Sequence, residues 1–542
     1  MKRKTSSYHL EIRTNRSKAL GLLRNSYRED GKVKKDTICQ FSGLSLEQLQ
    51  LIKASIQGKT VLKDEFKVIS SREYGASFAC CSILKELELD KAIYSRTSLD
   101  WVKSSLAMII GRIVFAGSKL ALSAAPAYSS LWEICGLSGD IDVNINCYDA
   151  MDNLFARQEP IQQSLAKKHL YNGTIVLYDI TSCYMEGEYA NSELVGFGYN
   201  RDRKRGTEQI VISLLCNKDG CPIAVEVFKG GTKDETTVLD KINELAEKYD
   251  IEKVIFVGDR GMITQTKYKQ INHKLVKVVS ALNHGKIKEL CDKGTIQISL
   301  FDKGDIVEVI DGNLRYMLCL NPAMAIKEAQ TRQALIKKTT EELDKIIAST
   351  RKTKNSKAVR MGKVAGKYKM AKFIIFEGSD ENVTYRLDDA KIEQESQLDG
   401  CYIVFTDVSK DDLTTLETVK TYKSLIHVEQ AFKNLKTAAL EIRPIYHKTD
   451  NRIKCHVFIC MLAYYVMWHM RQRLVSLCEI DGVGKDRRYS FDFIIESLKS
   501  IRLESVQFMD VPTTVVTTPN SEQAHFLDLL GVGLTNFYRF FA

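Results

Sequence analysis

The chain has 542 residues, too many for one compact domain, and its length predicts two to four domains. Its net charge of +10 favours an acidic partner, of which nucleic acid is the commonest kind, but the excess is modest. Its 14 cysteines form neither a CxxC pair nor a regular framework, which argues against a disulfide scaffold and predicts reduced thiols. The N-terminus lacks an apolar secretory core, and the apolar run 457–470 is too short to span a bilayer. We therefore expect a cytoplasmic protein without a membrane partner, in which this run is a buried helix.

Residues 1–165 are predicted to form a mostly helical N-terminal region. Residues 1–70 are polar and basic, and the segment 45–52 has helical spacing after a capping-type start. Apolar residues then recur at helical spacing, notably over 101–115 and 148–165. No convincing helix-turn-helix spacing is present, so DNA binding and a scaffold role both remain open for this region.

The pattern changes after the turn signal at 171–173. Apolar and β-branched residues over 174–180 predict a strand that is buried on both faces. Two further apolar runs, 209–216 and 222–228, flank a strong hairpin signal at 217–220. Together they predict three antiparallel strands.

A helix over 234–249 is predicted to cross over to a parallel strand at 253–257. This order of elements is that of a ribonuclease-H-like core, so we expect an α/β fold with a mixed sheet flanked by helices. In that topology the first and fourth strands are neighbours, which would place Asp179 beside Asp259. Ligands bind at the carboxyl ends of such strands. Taken alone, Asp179 is equally compatible with a turn cap.

Residues 285–398 are predicted to be a β-rich insertion that divides the core into the parts 170–284 and 399–475. The insertion contains short β-like runs and then a long charged helix, over 295–300, 306–310, 314–320 and 324–350. A basic stretch over 351–369 follows, which is either a solvated face or a surface that tracks phosphates. Residues 476–542 are expected to form a C-terminal helical region.

A strand within 399–406 is predicted to return the chain to the core sheet, and one helix is predicted over 411–437. Apolar residues at helical spacing mark the expected buried face of this helix, and they are Leu413, Leu416, Val419, Tyr422, Ile426, Phe432 and Leu435. Glu429 shares or borders that face, where a carboxylate is unusual without a partner. A salt bridge to a nearby lysine is the alternative explanation.

Asp179, Asp259 and Glu429 would raise one another's pKa if the fold brought them together. Divalent cations remove this repulsion, and oxygen ligands suit Mg²⁺ or Mn²⁺. Two such ions about 4 Å apart activate the attacking oxygen and stabilise the leaving oxygen in phosphoryl transfer.

The three motifs resemble the Asp-Asp-Glu triad of insertion-sequence transposases. Asp179 lies in YDITS, Asp259 in GDRGM and Glu429 in YKSLIHVEQAFKNLK. The last motif is similar to that of the group with Tyr, Arg, Glu and Lys at fixed spacing, which Tyr422, Glu429 and Lys436 match. Leu425 stands at the arginine position, which puts the role of that arginine in doubt.

The resemblance implies a bacterial cut-and-paste transposase, which would be nucleoid-associated. It implies two Mg²⁺ or Mn²⁺ ions held by the triad, double-stranded DNA partners (terminal inverted repeats and target DNA) and a homodimer on paired ends. Members of the group often excise through a hairpin intermediate. The residues expected to contact DNA are Arg201, Arg203, Lys204, Arg205, Arg260, Tyr422, His427, Lys433 and Lys436.

Plainer roles remain open for these residues, namely surface charge for the cations and packing for Tyr422. Two other functions also remain open. One is a ribonuclease-H-like nuclease that cuts DNA without strand transfer, and the other is a DNA-binding repressor with a decayed active site.

Overall fold

The computed structural model contains two compact units. One comprises Met1–Ile83, Ser123–Ile141 and Arg473–Ala542, and the other comprises Leu84–Leu122 and Asp142–Gln472. The structure describes residues 7–15, 18–29, 32–58, 66–199, 201, 204, 206–232, 253–260, 262–263, 268, 270–271, 276–303, 306–349, 356–379, 382–437, 440–478, 489–508 and 511–533.

The elements before the first core strand are β1 (Ser7–Asn15), β2 (Lys18–Glu29), β3 (Lys32–Phe41), α1 (Leu46–Ile56), β4 (Phe66–Glu73), α2 (Gly75–Glu86), α3 (Leu89–Ile93), α4 (Asp100–Val114), α5 (Lys119–Ser123), α6 (Leu131–Ile134), α7 (Ala150–Phe155) and α8 (Gln158–His169). The core and the segment inserted in it contain β5 (Thr174–Tyr184), β6 (Gln209–Asn217), β7 (Pro222–Lys229), β8 (Val254–Gly258), β9 (Val276–Ala281), α9 (His284–Asp292), β10 (Val307–Asp311), β11 (Leu314–Leu320), α10 (Pro322–Ala348), α11 (Lys357–Lys367), β12 (Ile374–Glu377), β13 (Thr384–Leu387), α12 (Asp389–Ser396), β14 (Cys401–Thr406), α13 (Thr415–Lys423), α14 (Ile426–Lys436) and α15 (Asp450–Arg473). The chain continues with α16 (Val475–Cys478), α17 (Phe491–Lys499), β15 (Arg502–Phe508), β16 (Val511–Val516) and α18 (Ser521–Leu529).

The first unit contains two antiparallel three-stranded sheets, ordered β1-β2-β3 and β16-β15-β4. Helix α1 lies against the first of these sheets, where Leu49 is buried together with Leu10 and Leu22. The sequence analysis expected helices here and at 476–542, and it did not predict either sheet. The signal is weak because β3 is exposed along nearly its whole length, so no face of that strand alternates between apolar and polar residues.

The second unit is built on an eight-stranded mixed sheet in the order β10-β11-β14-β9-β8-β5-β6-β7. Strands β5, β6 and β7 form the predicted antiparallel meander, and β8 lies parallel to β5 with β9 parallel to β8. Strands β5 and β8 are almost entirely buried, which explains the apolar runs 175–178 and 254–257 within them. The predicted mixed sheet flanked by helices is therefore confirmed, and the crossover helix predicted over 234–249 lies outside the described residues.

Three helices contact this sheet at defined strands. Helix α8 joins β7 through two hydrogen bonds at Val225, whose N–H donates to Gln162 Oε1 (2.8 Å) and whose carbonyl accepts from Gln158 Nε2 (2.9 Å). Helix α13 lies against β8, β9 and β14, and α14 lies against β5 and β6. The two helices thus bring the chain around Glu429 next to the strands that carry the aspartates.

The segment 285–398 differs from the predicted β-rich insertion. Strands β10 and β11 extend the central sheet, because β11 pairs with β14 along its length. The run 295–300 forms no strand, and its end is part of the 3₁₀ turn Ile298–Lys303. The rest is mainly helical, and the predicted long charged helix is α10. A small core that includes Leu343, Met361 and Phe373 lies between α10, α11 and the β12–β13 hairpin. Residues 351–355 of the basic stretch lie outside the described residues.

The prediction of one helix over 411–437 is wrong. Helix α13 ends at Lys423 and α14 begins at Ile426. The Ser424 hydroxyl donates to the carbonyl of Thr421 (2.6 Å), a local bond that competes with helical hydrogen bonding. Leu416 and Ile426, both expected to be buried, are 53% and 52% exposed.

Helix α15 is long and apolar enough to cross a membrane by length and composition alone, but 83% of its most apolar window is buried inside the protein. Its residues 455–467 are buried on all sides, which is typical of a core helix. The prediction of a buried helix is confirmed.

We expect Gly220→Ala to destabilise the protein more than Gly294→Ala does. Both glycines have a positive φ (+86° and +74°), so each alanine introduces about 1–2 kcal/mol of backbone strain. A Cβ atom at Gly220 would also lie 2.7 Å from Cβ of His427 in α14, whereas a Cβ at Gly294 would meet no atom within 4 Å. The clash adds about 1–3 kcal/mol, so the Tm of Gly220→Ala should fall further in thermal unfolding. Equal losses of Tm would contradict the contact between the β6–β7 turn and α14.

Candidate active site

The two aspartates are positioned by the pairing of β5 with β8. These strands run parallel, and their last paired residues are Tyr178 and Gly258. Asp179 and Asp259 follow immediately and therefore lie side by side, as the sequence predicted. Strand β5 continues to Tyr184 and pairs there with β6, so Asp179 lies inside a strand rather than in a turn. The turn-cap explanation of Asp179 is wrong.

Glu429 lies in the first turn of α14, at the break between the two helices. Its backbone N–H donates a hydrogen bond to the carbonyl of Leu425 (3.2 Å). Val428, just before it, and Phe432, one turn after it, are buried. Glu429 itself is exposed and borders the apolar face. The partial positive charge at a helix N-terminus favours a carboxylate at this place.

The pKa of Asp179 reflects the nearness of the other two carboxylates. Burial, together with the nearby charges of Asp259 and Glu429, raises the pKa of Asp179 to about 7. The Ile180 N–H, which donates to Asp179 Oδ1 (2.7 Å), and the charge of Arg201 oppose the rise in the pKa. The site thus holds more negative charge than its own cations compensate.

This excess of negative charge fits a divalent cation. Among the described residues, the three carboxylates do not bring their oxygens within 4.8 Å of one another. A pair of ions about 4 Å apart does not require such closeness, because each ion need bind only some of the carboxylates. Oxygen ligands of this kind suit Mg²⁺ or Mn²⁺.

Tyr422, at the end of α13, contacts the site directly. Its hydroxyl donates to Asp259 Oδ1 (3.2 Å), and the backbone N–H of Arg260 donates to the same oxygen (2.6 Å). Burial and the charge of Asp259 raise the pKa of Tyr422, so the phenol keeps its proton. Tyr422 therefore orients a triad carboxylate, while the Arg260 side chain is exposed next to it.

Two of the predicted DNA-contacting cations lie beside Asp179. Lys436 Nζ, in the last turn of α14, donates to Thr181 Oγ1 (2.7 Å), two residues beyond Asp179. The backbone N–H of Arg201 donates to Ser182 Oγ (2.8 Å), and the Arg201 charge lowers the pKa of Asp179. Both residues are thus next to the reacting centre.

Lys204 belongs to a second cationic group at the far end of β5. Its Nζ lies 3.6 Å from the centre of the Tyr184 ring, and the Arg443 guanidinium lies 4.2 Å from the same centre. The sequence analysis missed Arg443, because its place beside Tyr184 depends on the path of the chain after α14 and no local pattern marks it. The predicted contacts Arg203 and Arg205 lie outside the described residues.

His427 and Lys433 lie on α14 away from the hydrogen bonds described above. His427 abuts Gly220 in the β6–β7 turn, so packing is the role that the structure gives it. Lys433 is exposed, one turn beyond Glu429. Leu425, at the expected arginine position, is only 7% exposed, so its environment suits an apolar side chain.

Residues 172–466 match the model of the family described as "Transposase DDE domain". This match covers more than half of the chain, so the protein belongs to the DDE transposases, which generally use divalent metal ions. No curated protein matches the sequence.

Among solved structures, the chain is similar to one titled "Cryo-EM structure of piggyBac transposase synaptic complex with hairpin DNA (SNHP)". The identity is 10%, and the alignment covers 79% of this chain and 80% of the other. The TM-score is 0.37, a likeness too low to support a conclusion on its own.

The raised pKa of Asp179 predicts a stability that falls with increasing pH when metal ions are absent. The pKa of an unfolded aspartate is about 3.9, whereas that of folded Asp179 is about 7. Between these values the native state keeps a proton that the unfolded chain releases, so a rise in pH lowers the free energy of unfolding. Asp179→Asn removes this cost. In EDTA its Tm should exceed that of the wild type by about 3 °C or more at pH 8 and equal it at pH 4.

The exposed Asp140 provides the matched control, since Asp140→Asn should leave the Tm unchanged at both pH values. Addition of Mg²⁺ at pH 8 should raise the Tm of the wild type but not that of Asp179→Asn. A Tm of Asp179→Asn at or below the wild-type value at pH 8 would show that Asp179 does not lie in a crowded acidic site.

Proposed function

We propose that the protein is the transposase of a bacterial insertion sequence, cleaving DNA at the ends of the element and joining the freed 3′-hydroxyl to target DNA. The observation that carries the proposal is that Asp179, Asp259 and Glu429 come together from two neighbouring strands and a helix. Membership of the DDE transposases supports transposition in general.

The three carboxylates would hold two Mg²⁺ or Mn²⁺ ions. When bound, such ions polarise the phosphate and lower the pKa of the attacking water. Strand ends and a packed helix give the carboxylates the rigid placement that this chemistry requires.

The other residues of the site bind and orient. Tyr422 and the backbone of Arg260 fix one oxygen of Asp259, which leaves the second oxygen for the site. Lys436 and Arg201, beside Asp179, would bind the phosphate attacked in each step, first that at the element end, attacked by water, and then that of the target DNA, attacked by the 3′-hydroxyl. The attacking oxygen and the leaving oxygen would lie in line on opposite sides of the phosphorus. The protein therefore needs to position these two oxygens and need not form a covalent intermediate with the DNA.

The proposed partners are the terminal inverted repeats of the element and its target DNA, bound by a homodimer on paired ends in the nucleoid. Lys204, Arg260 and Lys433 are exposed and would contact phosphates outside the reacting centre. Tyr422, Glu429 and Lys436 support the group with the Tyr-Arg-Glu-Lys motif, and Leu425 is the departure from it.

The direct test uses the DNA that flanks the gene. Labelled fragments from each side are incubated with the protein, a supercoiled plasmid and Mg²⁺. We expect cleavage at inverted repeats and joined products in the plasmid. Cleavage without joining would favour a nuclease, and binding without cleavage would favour a decayed repressor.

Asp259→Asn and Glu429→Gln should each reduce cleavage and joining by more than about 1,000-fold, because each removes a charge that the ions need. Binding to the repeats, measured by gel shift in Ca²⁺, should stay within about 3-fold of the wild type, since phosphate contacts dominate affinity. Glu393→Gln, an exposed position on α12, is the matched control and should keep full activity. Residual strand joining within about 10-fold of the wild type in either triad variant would contradict the assignment.

Lys436→Met should weaken DNA binding at all sequences alike and lower the slope of log affinity against log salt by about one unit, because one phosphate contact is lost. The exposed Lys345→Met on α10 should leave the slope unchanged. An unchanged slope for Lys436→Met, with the fold intact by circular dichroism, would mean that Lys436 acts only through Thr181.

A further inference from the structure

A second cluster of chemically active side chains lies in the same unit and shares no residue with the triad. It consists of His169, Cys221 and His469, which each place one nitrogen or sulfur atom within 4.8 Å of the others. Cys221 is fully buried, and the two histidines are half-buried. Among the described residues, it is the group of three such side chains whose ligand atoms come this close together.

Three separate elements carry these residues, and each is held in place by other contacts. His169 ends α8, and its Nε2 lies 2.9 Å from the Tyr465 hydroxyl of α15. Cys221 follows the β6–β7 turn, where its N–H donates to Asn217 Oδ1 (3.0 Å). His469 lies on α15, where the neighbouring Trp468 Nε1 donates to the carbonyl of Asp219 (3.3 Å).

The ligand types fit zinc. Imidazole nitrogens and a thiolate sulfur are atoms that zinc binds in proteins, and the Tyr465 hydroxyl lies close by, 2.9 Å from His169 Nε2. Zn–N and Zn–S bonds of about 2.0–2.3 Å place tetrahedral ligand atoms about 3.3–3.7 Å apart. Cys221 Sγ lies 4.0 Å from His469 Nε2, so side-chain movements of less than about 1 Å would close the site. The cysteine spacing in the sequence, which contains no CxxC pair, gives no sign of this site because its three ligands lie far apart along the chain.

We propose that His169, Cys221 and His469 bind one Zn²⁺ ion that ties α8, the β6–β7 turn and α15 together. The ion has a structural role. Helix α8 leads into β5, which carries Asp179, and the turn abuts His427 of α14, which carries Glu429. Zinc at this place would stabilise the arrangement of elements that positions the triad, whichever reaction the triad performs.

The test is the metal content of full-length protein made without a histidine tag. Mass spectrometry of the metals should find one zinc per chain in the wild type and little in His169→Ala, Cys221→Ser or His469→Ala. Loss of a partner in the second coordination shell already costs about 10–100-fold in affinity, so loss of a ligand should weaken zinc binding by more than about 100-fold. Cys216→Ser, a buried thiol at the other end of the same turn, should keep its zinc, and so should Asp179→Asn.

Cobalt provides a spectroscopic measurement on the wild type itself, which does not require a folded variant. Co²⁺ added to the zinc-depleted wild type should give a thiolate-to-cobalt charge-transfer band in the near ultraviolet, which Cys216→Ser retains and Cys221→Ser loses. A chelator should lower the Tm of the wild type by several degrees. Wild-type protein that contains no zinc, gives no such band and binds zinc no more tightly than Cys221→Ser would show that the group is a hydrogen-bonded aromatic cluster and overturn the proposal.

Discussion

The pairing of β5 with β8 is the constraint on which the site depends. Parallel register places Tyr178 opposite Gly258, so the next residue of each strand is forced beside the other, and both are aspartates. This crowding lowers the free energy of unfolding at neutral pH, because burial and two neighbouring carboxylates raise the pKa of Asp179 to about 7. A site of this kind reduces stability and is explained by what it binds.

The interruption between α13 and α14 is the second constraint. A continuous helix would have carried Tyr422 and Glu429 on one rigid axis. The break at Ser424 lets Tyr422 hydrogen-bond Asp259 from the end of one helix, while Glu429 enters from the first turn of the next. Leu425, within the break, is only 7% exposed, an environment that suits an apolar side chain.

The sequence predicted the central strands of the core sheet because their signals are strong and local. Strands β5 and β8 are buried on both faces and contain the apolar runs 175–178 and 254–257. The order of elements then fixes which strands are neighbours. The sheet β1-β2-β3 was not predicted, since β3 is exposed and carries no apolar face. The role of β11 was not predicted either, because pairing with β14 across about 80 residues leaves no mark in either strand alone.

Contacts between distant segments account for the remaining misses. Arg443 beside Tyr184, and His169 beside Cys221 and His469, meet only because helices return to the sheet from far along the chain. Spacing rules cannot find such groups, whereas a fold can. A resemblance supplied the third member of the predicted triad, Glu429, because helical spacing alone left a salt bridge to a lysine as an alternative for it.

The most direct test of the central claim is an anomalous-scattering map from crystals of the wild-type protein soaked in Mn²⁺. The account predicts manganese peaks in contact with Asp179, Asp259 and Glu429, and no peak there in crystals of Asp179→Asn. Manganese bound elsewhere only, or a map in which Glu429 contacts no ion shared with the aspartates, would contradict it.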